Sequence, residues 1–380
     1  MDFTHLLTDT YNVVFLCVGI ATLVYLSIGY GLVFMRVGRM KLRQAPPSGI
    51  LPPVSVVIVA QNDADNLRRH IANILEQDYP DFEIIIVDYL SRDDTDYVMQ
   101  ICAAQYPNLK IVRIRDDVNF FHGKKYPLSL GIKSAQNDII VLTDVNCEPP
   151  SVYWLRSVVS AYWNADIQIV LGFTHIAAKK TLLGHLQQYD NLVYNCQYLS
   201  AASLGFPYAA SGSNLSYRRG FFFEKDGFIR HYVEPEGADD LFVNRNGNRI
   251  NTGIALDENS MVEVDAAESY SIWYYRRRRR FSTRCYYSVW QRLRIVMRPL
   301  ILLTFYASCI VLLARPLMPW LIPVLLLLLK LVWQIICVAQ PQKRFKLKGY
   351  HWFSPLLELY FVGADALSAL FSFHPKRCNP

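Results

Sequence analysis

The chain has 380 residues, 52% of them hydrophobic and only 19% charged, with a formal net charge of +7. An ordinary soluble enzyme carries more charge and a pure membrane bundle less, so a soluble domain attached to a few membrane segments satisfies both limits. Eight cysteines without a C-x-x-C pair argue against a zinc cluster or a disulfide framework and suit a reducing compartment.

In chain order, residues 11–35 (YNVVFLCVGIATLVYLSIGYGLVFM) contain no charge and are long enough to cross a hydrocarbon core. The start is acidic (Asp2, Asp9), and Arg36, Arg39, Lys41 and Arg43 follow the segment, the reverse of a cleaved signal peptide. Residues 1–43 are therefore read as an uncleaved anchor with its basic flank in the cytoplasm and its N-terminus outside.

Residues 44–267 alternate between two patterns. The runs VSVVIVA (54–60), FEIIIVD (82–88), LKIVRI (109–114) and DIIVLTD (138–144) predict strands, separated by helical patterns at 63–77, from about Asp94, and near 126–135. Such alternation predicts right-handed βαβ crossovers and an α/β domain with a mostly parallel sheet and helices on both faces. Ligands bind such sheets outside the C-terminal strand ends, where Asp88 and Asp144 stand. A strand-end Asp is often only a cap or turn residue; two of them ending different strands argue better for a site. His122, before GKK, reads as a turn residue, and Lys124 and Lys125 either meet phosphate or are simply solvated.

Residues 268–298 carry Arg276–Arg280, Arg284, Arg292, Arg294 and Arg298, read as a basic interface helix that binds ligand, anionic lipid head groups, or both. Residues 299–314 and 317–339 flank Arg315–Pro316 as a membrane hairpin, and the basic QPQKRFKLKG returns the chain to the cytoplasmic side. Lys330, inside the second arm, is expected either to snorkel, the blander reading, or to face a partner helix. The stretch 352–373, closing the 299–380 region, carries Glu358 and Asp365, so it either spans or lies in the interface. The positive excess sits beside these segments rather than on a separate face, which argues against nucleic-acid binding.

The order PVSVVIVAQNDADNLRRHIANILEQDYPDFEIIIVD, GKKYPLSLGIKSAQNDIIVLTDVNCEPPSVYWL, SGSNLSYRRGFF, GADDLFVNR and RRRRRFST resembles the membrane-anchored, inverting family 2 glycosyltransferases, over nearly the whole chain. The resemblance implies a GT-A-like domain that binds a nucleotide-sugar donor. It implies that Asp88 meets the base or ribose, that Asp144 meets the ribose or a metal-bound diphosphate, and that Lys124 joins the donor contacts. Asp144 and Asn146 take the positions of the metal motif, with Mg2+ or Mn2+ as the ion that neutralises the leaving diphosphate. The family's base precedes a Leu, which matches Asp239 or Asp240, and Arg279 takes the place of the Arg of a Q-x-x-R-W element that contacts the diphosphate. A lipid-linked or polysaccharide acceptor at the cytoplasmic face of the inner membrane completes the expectation.

Several positions depart from that pattern. Tyr89 and Leu90 replace the second Asp and the Gly of D-D-G-S, Asn146 replaces the metal-binding Asp of D-x-D, and Ala238 stands first in the acidic run of GADDLF. Arg276 replaces the Gln of the arginine element, and Arg280 and Phe281 blur its Trp. An amide oxygen still coordinates a hard cation but brings no charge, so metal affinity is expected to fall unless Glu148 compensates. The alternative function is a catalytically degenerate relative that acts as a binding partner in polysaccharide or glycolipid assembly.

Overall fold

The computed structural model describes residues 10–41, 51–115, 123–177, 179–232, 234–315, 319–347 and 351–371, with the backbone alone for 366–371. Asp2, Asp9, Arg43, His122 and Pro316 lie outside the described residues. The chain divides into two compact units, Lys41–Arg284 and Met1–Met40 with Cys285–Pro380.

In the first unit, β1 (Val54–Ala60), β2 (Phe82–Tyr89), β3 (Leu109–Ile114) and β4 (Ile139–Asp144) form where the apolar runs predict them. They are joined by β6 (Ile169–Leu171), β8 (Leu215–Arg218) and β9 (Thr252–Ile254) in a seven-stranded sheet of order β3-β2-β1-β4-β8-β6-β9 among the described residues. Only β8 runs antiparallel to its neighbours. A smaller sheet orders β5 (Cys147–Glu148), β10 (Val262–Val264) and β7 (Thr174–Ile176) as β5-β10-β7.

Every residue of β1 is buried, because both of its faces are covered; hence its unbroken apolar run. On one face, Leu67, Ile71 and Ile74 of the helix Ala64–Leu75, Met99 of Thr95–Gln105 and Trp154 of Trp154–Ser160 pack with Val54, Val56 and Ile58. Full burial of such side chains contributes about 1.5–3 kcal/mol each. On the other face lies the helix Lys125–Ser134. A Cβ on its Gly131 would fall 2.5 Å from Val57 Cγ1 and 2.9 Å from Val87 Cγ2, so the missing side chain lets the helix backbone lie flat against the sheet.

In the second unit, the helices Thr10–Arg39, Val289–Ala314 and Leu321–Arg344 are long and apolar enough to cross a membrane. The basic stretch expected to precede the hairpin as one interface helix is divided. Residues Tyr270–Ser282 form one helix, and a new one starts at Val289 and runs through Pro299 without a break. Small residues bring helices close here: a Cβ on Gly38 would fall 2.5 Å from Gln340 Cβ, and one on Gly19 3.3 Å from Ser308 Oγ. Arg344 closes the end of the first helix, its Nη1 donating to the carbonyls of Val37 (3.2 Å) and Met40 (2.6 Å).

The unit holds an ionic network that decides against the snorkelling reading of Lys330 and for the partner-helix alternative. That side chain is fully buried, and its Nζ donates to Gln334 Oε1 (2.7 Å), the Tyr306 hydroxyl (2.9 Å) and Glu358 Oε2 (3.1 Å). Glu358, on the helix Ser354–Phe371, also accepts from Arg298 Nη2 (3.1 Å) and the Tyr30 hydroxyl (2.5 Å). The carboxylate that made this stretch look expensive at bilayer depth thus carries two cations and a phenol as partners.

Because Glu358 neutralises two cations while each cation neutralises only part of it, the two ends of the network should respond unequally to substitution. Glu358→Gln should cost the detergent-solubilised chain about 3 kcal/mol, as expected when one partner of a buried ion pair is removed, and Lys330→Met clearly less. Denaturant titration of both variants checks this, and equal losses would contradict it.

Candidate active site

The register of the parallel strands builds the site's frame. Ala60 pairs with Asp88 and Val59 with Asp144, so the two carboxylates leave the sheet on either side of the tip of β1. They are two strand spacings, about 10 Å, apart. Asp88 is wholly buried, and among the described residues neither of its oxygens accepts a hydrogen bond; its charged neighbour is Arg115 Nη1 at 3.5 Å. A buried carboxylate so sparsely satisfied is costly to the fold.

The loops after β1 and β2 are laced together. The Arg92 amide donates to Asn62 Oδ1 (2.8 Å) and the Asn62 amide to Ser91 Oγ (3.0 Å). Asn62 and Leu90 both take left-handed backbone, with φ of 53° and 55°. Asn tolerates this conformation, but a Leu pays about 1–2 kcal/mol for it. Leu90 stands where the resemblance places a Gly, and its left-handed backbone is one that glycine adopts without strain.

Asp144 is the most heavily used side chain of the frame. Lys124 Nζ donates to its Oδ1 at 2.5 Å, and Ser213 Oγ donates to its Oδ2 at 2.6 Å. The Ser213 contact follows from register. Leu142 of β4 faces Leu215 of antiparallel β8, so two residues beyond the one and two before the other, Asp144 and Ser213 meet. Burial works to raise the Asp144 carboxyl, but the Lys124 ammonium, the Ser213 hydroxyl and the positive charge of Arg276 outweigh it and hold the group below its ordinary range. The Asp144 charge in turn raises Lys124 above the usual lysine value.

Asn146 is half-buried, its side-chain oxygen 3.9 Å from Cys147 Sγ and its carbonyl accepting the Asp265 amide at 3.1 Å. Glu148 is engaged elsewhere: it accepts from Asn73 Nδ2 (3.0 Å) and lies 3.5 Å from His70 Nδ1. Among the described residues, no three His, Cys, Asp or Glu side chains are gathered as a metal ion needs.

The two candidate bases separate cleanly. Asp240 is 4% exposed, with Oδ1 accepting the Leu241 amide (2.8 Å) and Oδ2 accepting the Thr283 hydroxyl. Asp239 is half-buried and accepts the amides of Gly212 (3.0 Å) and Asp240 (2.9 Å). Adjacent residues of one loop, Gly212 and Ser213, therefore hold Asp239 and Asp144.

Lys125, beside Lys124, is buried, and its Nζ donates to the carbonyls of His231 and Glu234, the latter at 3.0 Å. Burial pulls its amine down to about 8 against the pull of Asp240, Glu234, Asp239 and Glu236. It stitches the loop that leads to Asp239. Gly123 permits the same approach, with φ of 134° and no room for a Cβ, which would fall 2.3 Å from the Pro235 carbonyl.

On the helix Tyr270–Ser282 the arginines divide by face. Arg277 is buried, with Nε 3.0 Å from Asp190 Oδ1, and Arg280 lies 3.6 Å from the other Asp190 oxygen with its guanidinium 4.5 Å from the Tyr194 ring centre. Arg279, expected on the diphosphate, forms an ion pair with Glu236. The arginine whose charge reaches Asp144 is Arg276, the one read as a departure from the pattern.

With this geometry in view, residues 55–223 match the family described as Glycosyl transferase family 2. Over those residues the chain is similar to the family 2 glycosyltransferases. It is 30% identical over 124 residues to glycosyltransferase AglE of Haloferax volcanii, covering 32% of this chain and 39% of that protein. It is 28% identical over 123 residues to the beta-monoglucosyldiacylglycerol synthase of Trichormus variabilis, covering 32% of this chain and 25% of that protein. The chain thus spans well under half of the length of either curated relative.

A mannosyltransferase, PcManGT from Pyrobaculum calidifontis in complex with GDP-Man and Mn2+, superposes with a TM-score of 0.58 over 94% of this chain and 99% of its own, at 18% identity. The fold is GT-A-like.

Leu90 offers a direct check on the strained loop. Leu90→Gly should raise stability by about 0.5–1 kcal/mol, relief of the left-handed strain exceeding the extra chain entropy of glycine. Leu90→Val should lower it. Denaturant midpoints decide, and a Val variant as stable as the parent would remove the strain argument.

Proposed function

We propose that the protein is a membrane-bound glycosyltransferase that moves a sugar from a nucleotide-diphosphate donor to a lipid-linked or glycan acceptor, with inversion, at the cytoplasmic face of the cell membrane. The observation that carries this reading is the pairing of Asp144 and Asp239 through Gly212 and Ser213, at the C-terminal edge of the parallel strands. A donor carboxylate and a base are thereby held by one short loop.

In this reading Asp88 receives the base or ribose, whose donors would satisfy its buried oxygens, and Asp144 orients the ribose–diphosphate junction. Asp239 takes the proton of the acceptor hydroxyl as its oxygen attacks the anomeric carbon from the face opposite the diphosphate. The bond between that carbon and the diphosphate oxygen breaks, its electron pair stays on the oxygen, and a nucleoside diphosphate leaves. Asp240, buried beneath its neighbour and bonded to Thr283, positions the loop.

The divalent ion of the family is not carried into these steps, because the residues do not fit it. Asn146 adds no charge, both Asp144 oxygens are engaged, and Glu148 is held by Asn73 and His70.

Asp239→Asn should reduce turnover on the order of a hundredfold while leaving donor binding intact, and Asp240→Asn should mainly lower stability. Transfer assays with a panel of nucleotide sugars, beside calorimetric donor binding, separate the two. Donor binding without transfer in the parent protein would favour the binding-partner reading instead.

The orientation is argued from the basic residues Arg36, Arg39 and Lys41 at the end of the first apolar helix and Lys343, Arg344 and Lys346 at the end of the third. Cysteines placed between residues 60 and 280 should resist a membrane-impermeant thiol reagent in intact cells and react after lysis. Labelling from outside would reverse the proposed topology.

A further inference from the structure

The chemistry of glycosyl transfer requires positive charge where the departing diphosphate gathers its negative charge. In a D-x-D site a dication supplies it, and two carboxylates with one dication sum formally to zero. Here the second carboxylate is Asn146, and the one that remains, Asp144, already has a cation on Oδ1 and a hydroxyl on Oδ2.

We propose that Lys124, rather than a divalent ion held by the protein, carries the charge that binds the donor's diphosphate, so that this domain binds its donor without a metal. The inference rests on the glycosyltransferase reading above.

Three observations support it. First, the Lys124 side chain is 57% exposed although its Nζ is fixed 2.5 Å from Asp144. An ammonium has three N–H donors; Asp144 uses one and leaves two for phosphate oxygens. Second, the charge balance does not need a metal. Lys124 and Asp144 sum formally to zero, the same as a dication between two carboxylates. Third, the acids that would have to recruit a metal are occupied. Glu148 points to Asn73 and His70, and Asp265 accepts from or pairs with His70 (3.1 Å) and Arg69 (3.6 Å). A hard cation bound through a single lysine-paired carboxylate and a neutral amide would lose to the ammonium already in place.

The arrangement also explains why Asn146 is tolerated. With a lysine on Asp144, a second carboxylate two residues on would add a negative charge near the strand tip, which an amide of the same shape does not.

The test uses the full chain in detergent or nanodiscs, with ADP, CDP, GDP and UDP as probes in calorimetry, in EDTA and then in Mn2+. For the nucleoside diphosphate bound best, affinity in EDTA should lie within about threefold of that in Mn2+, and Lys124→Ala should weaken binding in EDTA by about tenfold or more. Lys124→Arg should keep most of the affinity, which separates loss of charge from loss of folding. Asn146→Asp should acquire a saturable Mn2+ site in electron paramagnetic resonance titrations, one that the parent protein does not display. A parent protein whose affinity falls tenfold or more in EDTA overturns the inference but leaves the donor reading standing, as does a Lys124→Ala variant that binds like the parent. If none of the four diphosphates binds in either condition, the donor reading fails and takes the inference with it.

Discussion

The Asp144 carboxylate is shared by two donors from distant parts of the chain, Lys124 from the segment before one helix and Ser213 from the loop before β8. Charge-assisted hydrogen bonds of this kind contribute about 1.5–3 kcal/mol each, and their geometry constrains both partners. The Ser213 loop continues through Gly212 to Asp239, and Lys124 continues into Lys125, which holds the carbonyls of the loop leading to Asp239 from the other side. A closed circuit of contacts thus runs from strand tip to loop to candidate base and back. It is rigid because its root, β4, is buried and paired on both edges.

The arginine helix displays the same economy. A run of identical residues on a helix points around the axis, so its members meet different surroundings. Arg277 goes inward to Asp190, Arg280 stacks on Tyr194, Arg279 reaches Glu236, and Arg276 lends its charge to Asp144. The two contacts at Asp190 fasten the helix to the long helix Leu182–Ser203. A pair buried this well serves to fix geometry more than to add net stability. The unit of long apolar helices applies the principle in an apolar setting, where Glu358 gathers Arg298, Lys330 and Tyr30 and so sets which face of its helix turns inward.

The departures from the family pattern have unequal physical weight. Leu90 holds left-handed backbone and bears the strain, while the neighbouring contacts of Asn62, Ser91 and Arg92 fix the turn around it. Asn146 and Arg276 alter the charge of the site in the same direction, each making it less negative.

Hydrophobic periodicity alone made the first four strands, their helices and three apolar helices legible, because burial on both faces demands uninterrupted apolar runs and a bilayer demands length. It also marked Asp88 and Asp144, since a carboxylate ending such a run has nowhere to go but the sheet's edge. The sequence could not rank Asp239 against Asp240, choose among five consecutive arginines, or find Ser213, whose only signal was a Gly/Ser-rich SGSN before an apolar strand. Those choices depend on which side of an element faces the sheet and on the antiparallel register of β8 against β4, both set by contacts more than sixty residues apart in sequence. Lys330 stayed open for the same reason: a lysine in an apolar helix snorkels or finds a partner according to what the neighbouring helices present, and only packing brings Glu358 within reach.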